Sequence, residues 1–430
     1  MNSILNSVLG RIKPNDSEII RMNALTAELK AKIEKGLKKS KINADVFIGG
    51  SLAKNTLIRK DVYDIDIFVR FAFKDYSAKD SMLSDILEKA LKSQNLKSRR
   101  IHGSRDYFHV KAAGSIIFEI VPVLHVKKPQ EAVNVTDLSS FHVSYVSKKI
   151  NKKLADEIRL AKAFCYAQRC YGAESYIQGF SGYAVELLVL HFGSLMKLAK
   201  AALKWKDMLD KKEKIVIDSA KHYKNKNDVL ININEAKLAS PIILVDPTYS
   251  VRNATASVSI ETLERFIEAC VKLAGKANAG MFEKKEIDIA MLKKSAKKSK
   301  AELSILYAAT GKSKDVAPAK LRKFLDFVLF VMQRHGFEVI RKEIDFAGKE
   351  ARMHIIYKSP GKEMIAQGPP INRIDNLLAF RKKYKNISIK KGVAYARIKR
   401  KVRDIKAAAD LIRKGSEIKA MDISEFKISK

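Results

Sequence analysis

The sequence predicts a multidomain α/β plus α protein, and three observations lead to this prediction. The chain has 430 residues, of which 47% are hydrophobic, so it is long enough to form more than one core. Strand-like runs lie between helical patterns near the N-terminus and again after residue 300, whereas residues 152–275 show mainly helical spacing. We expect an α/β head over 1–145, a helical central domain over 146–278, and a basic C-terminal body and tail over 279–430.

In the head, apolar residues near helical spacing predict the first helix, and strict alternation of acids with apolar residues predicts the strand over 63–69. The predicted elements in order are a helix over 15–40, strands over 45–48 and 63–69, a helix over 78–92, and strands over 107–111 and 115–126 joined by a turn at Ala113-Gly114.

The central region has an apolar stripe on a helix that begins near residue 152, and a second long helix is predicted over 183–198. The lysine-dense stretch over 281–300 is typical of a solvated helix face or linker. An α/β pattern then returns. Its predicted elements are a helix over 318–335, strands over 338–346 and 351–358, a helix over 373–384, and a hairpin turn at Lys391-Gly392.

The charge of the chain is strongly positive and uneven. Lys and Arg number 83 against 47 Asp and Glu, a formal net charge of +36. Residues 271–430 carry 39 basic and 17 acidic side chains, a net of +22. So many positive side chains repel one another in a folded chain, and this favours a polyanionic partner such as nucleic acid.

Several classes of protein are disfavoured by the same composition. No apolar run has the length of a membrane span, and the N-terminal residues do not resemble a signal peptide. Three cysteines make no disulfide framework, which favours a cytoplasmic location. Without a CxxC pair or an HExxH motif, we expect no structural zinc.

Asp64 and Asp66 are the first candidates for chemistry. They are two residues apart in a predicted strand, so both side chains point to the same face. Adjacent carboxylates repel one another unless a cation lies between them, and Mg²⁺ commonly takes one or two carboxylates plus substrate phosphates. For an isolated pair, the alternative is an edge strand with a polar solvent face.

The context of this pair favours catalysis. A strand that ends in Gly49-Gly50-Ser51 and opens a helix lets backbone N–H groups approach a phosphate. A third acid, Glu119, stands alone in an apolar run, so it either faces solvent or has a cationic partner. Three acids on neighbouring strands beside such a loop suit two-metal phosphoryl transfer.

These motifs resemble the nucleotidyltransferase signature of the DNA polymerase beta superfamily and, more closely, the archaeal class I CCA-adding enzymes, which are tRNA nucleotidyltransferases. The similarity covers about residues 45 to 400 and includes five segments. They are Gly49-Gly50-Ser51-Leu52-Ala53-Lys54-Asn55-Thr56, Tyr171-Gly172-Ala173-Glu174, Gly179-Phe180-Ser181-Gly182-Tyr183 with Glu186-Leu187-Leu188, Val245-Asp246-Pro247 with Arg252-Asn253, and Gly368-Pro369-Pro370.

The resemblance implies a polymerase-beta-like head and a role for each matching residue. Asp64, Asp66 and Glu119 would be catalytic and would hold two Mg²⁺ ions, although relatives more often have aspartate at the third position. Arg252 would read the incoming base or hold the primer end. The nucleotide-binding residues implied are Gly50, Ser51, Lys54, Lys162, Tyr171 and Arg252.

Each of these roles has a structural alternative. Ser51 could be only a helix N-cap, Lys162 a solvent-facing lysine, and Tyr171 a packing aromatic at a helix end. Arg252 could simply pair with Asp246. The histidines have no partner close in sequence, and we assign them, including His142, no role.

The C-terminal region predicts an RNA-binding surface. Residues 371–410 hold 13 basic and 3 acidic side chains with interleaved aromatics. This pattern suits the phosphate backbone of duplex RNA, which proteins recognise by shape. The predicted RNA-binding residues are Arg381, Lys382, Lys399 and Arg400, and the alternative is a solvated basic surface.

The resemblance implies an enzyme that adds C, C and A stepwise to tRNA 3′ ends from CTP and ATP, without a template. Its partners would be the acceptor stem and T stem-loop of tRNA, and a homodimer is an open alternative to a monomer. The other functions to weigh are a related poly(A) or oligoadenylate polymerase and a catalytically inactive RNA-binding relative.

Overall fold

The computed structural model describes residues 2–113, 115–284 and 286–429, and the chain divides into two units, Met1–Lys285 and Glu286–Lys430. The helices of the first unit are α1 (Asn2–Ile12), α2 (Asp16–Lys39), α3 (Gly50–Ala53), α4 (Phe73–Tyr76), α5 (Leu83–Lys92), α6 (Ser139–Lys149), α7 (Lys152–Ala167), α8 (Gly182–Phe192), α9 (Leu195–Leu203), α10 (Trp205–Asp210), α11 (Lys226–Asn232) and α12 (Ile260–Gly275). Its strands are β1 (Ala44–Ile48), β2 (Tyr63–Ala72), β3 (Ser98–Ile101), β4 (Tyr107–Ala112), β5 (Ile116–His125), β6 (Ile215–Ile217), β7 (Ile242–Asp246) and β8 (Tyr249–Asn253).

A five-stranded sheet in the order β1-β2-β5-β4-β3 forms the head of this unit. Strands β2 and β5 pair in parallel, and the other neighbours pair antiparallel. Tyr63, Ile65 and Ile67 of β2 are buried in one core with residues of α2 and α5. Because strand side chains alternate, this burial turns Asp64 and Asp66 to the opposite face.

The predicted strands over 107–111 and 115–126 form an antiparallel pair that places His109 opposite Glu119. The turn predicted at Ala113-Gly114 includes Gly114, which lies outside the described residues. The register of the flanking strands is nevertheless set by their pairing, and it brings the middle of β4 beside the middle of β5.

The second half of the first unit is mostly helical, with α7, α8, α9 and α12 around a shared core. The prediction of one helix over 183–198 is wrong, because α8 ends at Phe192 and a separate helix, α9, begins at Leu195. Gly193 has a left-handed φ of +83°, and the side chain of Ser194 caps the next helix by accepting from the Lys197 N–H. A small sheet in the order β6-β7-β8, which the helical pattern does not reveal, completes this part.

The second unit contains two sheets. Its helices are α13 (Ile289–Lys298), α14 (Ala317–Arg334), α15 (Ile374–Lys383), α16 (Ile405–Lys414) and α17 (Glu417–Ala420). Its strands are β9 (Glu302–Thr310), β10 (Glu338–Ala347), β11 (Glu350–Lys358), β12 (Glu363–Pro370), β13 (Ile387–Lys390), β14 (Val393–Lys399) and β15 (Ile423–Ser429).

The larger sheet of this unit, in the order β10-β11-β9-β15, shares a core with α14 and α16. The smaller sheet, in the order β12-β14-β13, has α15 beside it. The hairpin turn predicted at Lys391-Gly392 is confirmed by the antiparallel pairing of β13 with β14.

Within the described residues, no single helix is both long and apolar enough to cross a membrane. Only the pair Gly182–Phe192 and Leu195–Asp210, bent by 88°, meets that criterion together.

Candidate active site

The three predicted carboxylates lie on adjacent strands of the head. Asp64 and Asp66 project from β2, and Glu119 lies directly beside Asp66 on the parallel strand β5. Burial raises the pKa of Asp66 to about 7, and the charges of Glu119 and Asp64 contribute to this rise. Burial also raises the pKa of Asp64. The site therefore concentrates negative charge at a cost that a nearby cation would remove.

The glycine turn lies against this carboxylate cluster. Gly50 has a left-handed φ of +61°, and a Cβ at this position would overlap the carboxylate of Asp66. The backbone N–H of Gly49 donates to the Asp66 carbonyl over 3.0 Å. Gly49 is also the N-cap of α3, so the alternative that Ser51 is the N-cap is wrong. At position 50, the left-handed backbone and the closeness of Asp66 together require glycine.

The donor set fits Mg²⁺, because carboxylate oxygens are the hard ligands that this ion prefers. Among the described residues, however, no group of three or more His, Cys, Asp or Glu side chains is already arranged to hold a metal. The assignment of Asp64, Asp66 and Glu119 as ligands consequently stays a prediction.

Lys54 and Lys162 meet at a buried carboxylate, Glu186. The ammonium of Lys54 donates to Oε2 of Glu186 over 2.5 Å, and that of Lys162 donates to Oε1 over 2.7 Å. Thr56 also donates to Glu186 over 2.8 Å. Burial alone would raise the pKa of Glu186, but the two lysines outweigh it and lower this pKa to about 2. Lys162 is thus not solvent-facing, and burial lowers its pKa although the charge of Glu186 opposes this effect.

Tyr171 packs against the core of the helical part, and its hydroxyl lies close to the start of α8. A Cβ at Gly182 would be 2.7 Å from the hydroxyl oxygen, so a larger residue there would displace the Tyr171 side chain. Burial raises the pKa of Tyr171, and the charge of Glu186 adds to this effect. The hydroxyl is therefore a neutral hydrogen-bonding group at neutral pH, and its contact with a nucleotide stays a prediction.

Arg252 belongs to a second cluster centred on buried Asp246. Its guanidinium donates to Asp246 over 2.6 Å, as the pairing alternative predicts. His142 and Tyr183 also bond to this carboxylate, over 3.1 and 3.0 Å, and their rings stack 4.0 Å apart. Burial would raise the pKa of Asp246, but the bond from His142 and the charge of Arg252 outweigh it and lower the pKa.

This second cluster borders a pocket of about 720 Å³. Arg252 and Ser181 contribute polar groups to its lining, and Val133, Val135 and Leu138 contribute apolar surface. A pocket with apolar walls and a few fixed polar groups is typical of small-molecule binding sites.

In the second unit, Arg381 and Lys382 lie exposed in the last turn of α15, and Lys399 lies exposed at the end of β14. Arg400 differs, because its guanidinium lies over Gly336 and donates to the His335 carbonyl over 2.9 Å. Its contact with RNA stays a prediction, but its side chain is also part of the fold.

Sequence reasoning missed three residues of these clusters. Glu186 was recognised only as part of a motif, and His142 and His109 were given no role although they bond to Asp246 and Glu119. The sequence contains part of the signal for His109, since the predicted hairpin puts its strand beside that of Glu119, but the exact register that pairs the two residues comes only from the structure. No comparable local signal connects His142 with Asp246, which lie 104 residues apart.

Two family models match the first unit, and one solved structure shares its fold. Residues 156–283 match the model described as "tRNA nucleotidyltransferase, second domain". Residues 1–155 match the "Second Messenger Oligonucleotide or Dinucleotide Synthetase domain". Crystal structures of the Cid1 poly(U) polymerase share the fold, with a TM-score of 0.50 at 14% identity over 66% of this chain and 98% of that one.

Similar proteins are found among archaea. The CCA-adding enzyme of Nanoarchaeum equitans (strain Kin4-M) is 35% identical over 76% of this chain and 76% of its own length. That of Saccharolobus islandicus (strain Y.G.57.14) is 29% identical over 76% and 73%. That of Methanocaldococcus jannaschii is 32% identical over 62% and 58%. The chain belongs to the archaeal CCA-adding enzymes, a family of tRNA nucleotidyltransferases.

Proposed function

We propose that this enzyme adds C, C and A stepwise to the 3′ end of tRNA from CTP and ATP, without a nucleic-acid template, in tRNA maturation and repair. The observation that carries the proposal is the cluster of Asp64, Asp66 and Glu119 against the Gly49-Gly50 turn in a chain of this family. We propose the cytoplasm as its location and the boundaries 1–145, 146–278 and 279–430 for its three domains.

Asp64, Asp66 and Glu119 would hold two Mg²⁺ ions, which supply Lewis-acid stabilisation of charge on phosphate oxygens and on the attacking 3′-hydroxyl. The turn at Gly50 keeps side-chain atoms away from Asp66, so a triphosphate can approach the carboxylates. Lys54 and Lys162 lie near Asp66, and basic side chains at this position favour a polyanion.

The nucleotide base or the primer end would occupy the pocket beside Arg252. The guanidinium is held by Asp246 and lies 5.7 Å from the centre of the Tyr183 ring, so its orientation is fixed before a ligand binds. A donor with a fixed orientation loses little conformational entropy on binding, which improves discrimination between bases.

The test is incorporation of labelled CTP or ATP into tRNAs that end before, within and after CCA. We expect CTP to extend only the tRNAs that lack one or both C residues, ATP to add one residue to tRNA ending in CC, and complete CCA to remain unextended. Repeated addition of A to any RNA would indicate a poly(A) polymerase instead, and no incorporation would indicate an inactive RNA-binding relative.

A further inference from the structure

His109 pairs with the third carboxylate of the site. Its Nε2 lies 3.1 Å from Oε1 of Glu119, and the two residues are direct partners across β4 and β5. In the tautomer that carries its proton on Nε2, the imidazole N–H of His109 donates to this carboxylate oxygen. We propose that His109 is a positioning residue that holds Glu119 in the orientation needed to bind a divalent cation, an inference that rests on the proposed function.

Glu119 needs such a partner because of its length and its surroundings. Its side chain is 28% exposed, so packing alone does not fix it, and glutamate has one more rotatable bond than aspartate. Asp66 is its neighbour on the other side and repels it. Without a donor, the carboxylate would favour rotamers that turn away from Asp66 and towards solvent.

His109 can fix Glu119 because its own position is well determined. It lies within β4, which pairs with β3 on one side and β5 on the other. Its ring also meets that of Tyr107 edge to face, with centroids 5.3 Å apart. The three side chains Asp66, Glu119 and His109 therefore form a row across three adjacent strands, on the same face of the sheet. Groups that hydrogen-bond to metal ligands in this way typically change metal affinity or activity by about 10- to 100-fold when removed.

Two substitutions separate a positioning role from a packing role. His109→Phe keeps an aromatic ring against Tyr107 but removes the N–H donor, whereas His109→Gln keeps an amide N–H near the place of Nε2 but removes the ring. The matched control is His102→Phe, because His102 is exposed and bonds to Asp106, away from the carboxylate cluster.

The measurement is Mn²⁺ affinity of the full-length protein without tRNA, followed by electron paramagnetic resonance, together with kcat and KM for CTP. We expect about 10-fold or greater loss of Mn²⁺ affinity and of kcat in His109→Phe, largely restored values in His109→Gln, and wild-type values in His102→Phe. In a Glu119→Ala background, His109→Phe should cause no further loss of Mn²⁺ affinity, because it acts through Glu119.

Wild-type Mn²⁺ affinity in His109→Phe, or an equal loss in both Glu119 backgrounds, would overturn the inference. So would a pattern in which Phe is tolerated and Gln is not, since that indicates packing. Asp66→Asn separates this failure from that of the proposed function. If Asp66→Asn abolishes Mn²⁺ binding and incorporation while His109→Phe equals the wild type, only the inference fails. If Asp66→Asn retains both, the proposed function fails.

Discussion

Gly50 combines a left-handed backbone with a close approach to the carboxylate of Asp66. Gly50→Ala should therefore lower the rate of C and A addition by at least about tenfold, because the added methyl group displaces Asp66 and each 1.4 kcal/mol of lost transition-state stabilisation is a factor of ten. Gly193→Ala is the matched control, since Gly193 also has a positive φ but only the end of Lys197 nearby, at 3.9 Å. Both variants should lose about 1 kcal/mol of unfolding free energy. Equal activity in both would contradict the account of the turn.

Glu186 compensates two buried ammonium groups, so its replacement affects stability as well as catalysis. Glu186→Gln leaves Lys54 and Lys162 without a counter-charge, and we expect a loss of about 3 to 5 kcal/mol of unfolding free energy at neutral pH. Denaturant unfolding followed by circular dichroism measures it.

The pH dependence of this loss follows from the lowered pKa of Glu186. An unfolded glutamate has a pKa of about 4.5, and the folded value is about 2, so the stabilising effect is complete above pH 4.5 and disappears as pH falls towards 2. The difference in unfolding free energy between wild type and Glu186→Gln should therefore shrink as pH falls from about 4.5 towards about 2. A difference that stays constant over this range would contradict the charge assignment.

At the scale of elements, local patterns predicted strands β2, β4 and β5 and helices α2 and α14, because alternation and helical spacing are visible where one face is buried. They missed the break between α8 and α9, since apolar residues continue through Gly193 and only its backbone conformation ends the helix. They also missed strands β6 to β8, which have only three to five residues each, and β6 pairs with β7 across 27 residues of chain.

In the candidate site, the sequence likewise reveals residues that lie within one motif but not the partners that come from distant parts of the chain. Asp64, Asp66 and Gly50 lie in contiguous motifs, whereas the partners Glu186 and Asp246 are brought to Lys54 and His142 only by tertiary packing. A sequence pattern can show that a buried charge needs a partner, but it cannot show which distant residue supplies it.

Helix α15 and the end of strand β14 carry the exposed cations of the basic tail. Changing Arg381, Lys382 and Lys399 to Ala together should weaken binding of tRNA and of an acceptor–T-stem minihelix, because counterion release contributes to each phosphate contact. The slope of log affinity against log salt should become less steep by up to about 0.9 per lost contact, with little dependence on stem sequence. CTP binding should not change.

Arg400 is kept in this variant because its guanidinium also bonds to the His335 carbonyl, and its loss would mix stability with RNA affinity. A salt titration of minihelix affinity makes the comparison with wild type. Superimposable slopes would show that these three cations form only a solvated surface, and RNA contacts should then be sought near Lys293–Lys300 or in the central domain.

At the scale of the whole molecule, a chain of net charge +36 keeps a cluster of carboxylates on the sheet of its first unit. Positive charge attracts tRNA and nucleoside triphosphates, whereas the carboxylates are useful only if cations bind them. We propose that one such site serves both CTP and ATP. Because the predicted RNA contacts and the carboxylates lie on different residues, RNA affinity and the rate of nucleotide addition should respond to different substitutions.

Asp66→Asn, compared with Asp61→Asn at an exposed position three residues before Asp64, tests this claim most directly. The measurement is the single-turnover rate of CTP addition to tRNA lacking CCA and of ATP addition to tRNA ending in CC, with tRNA affinity measured in parallel. We predict that Asp66→Asn loses both additions by orders of magnitude while its tRNA affinity stays near wild type, and that Asp61→Asn behaves as the wild type. Loss of only one of the two additions, or retention of both, would contradict the account.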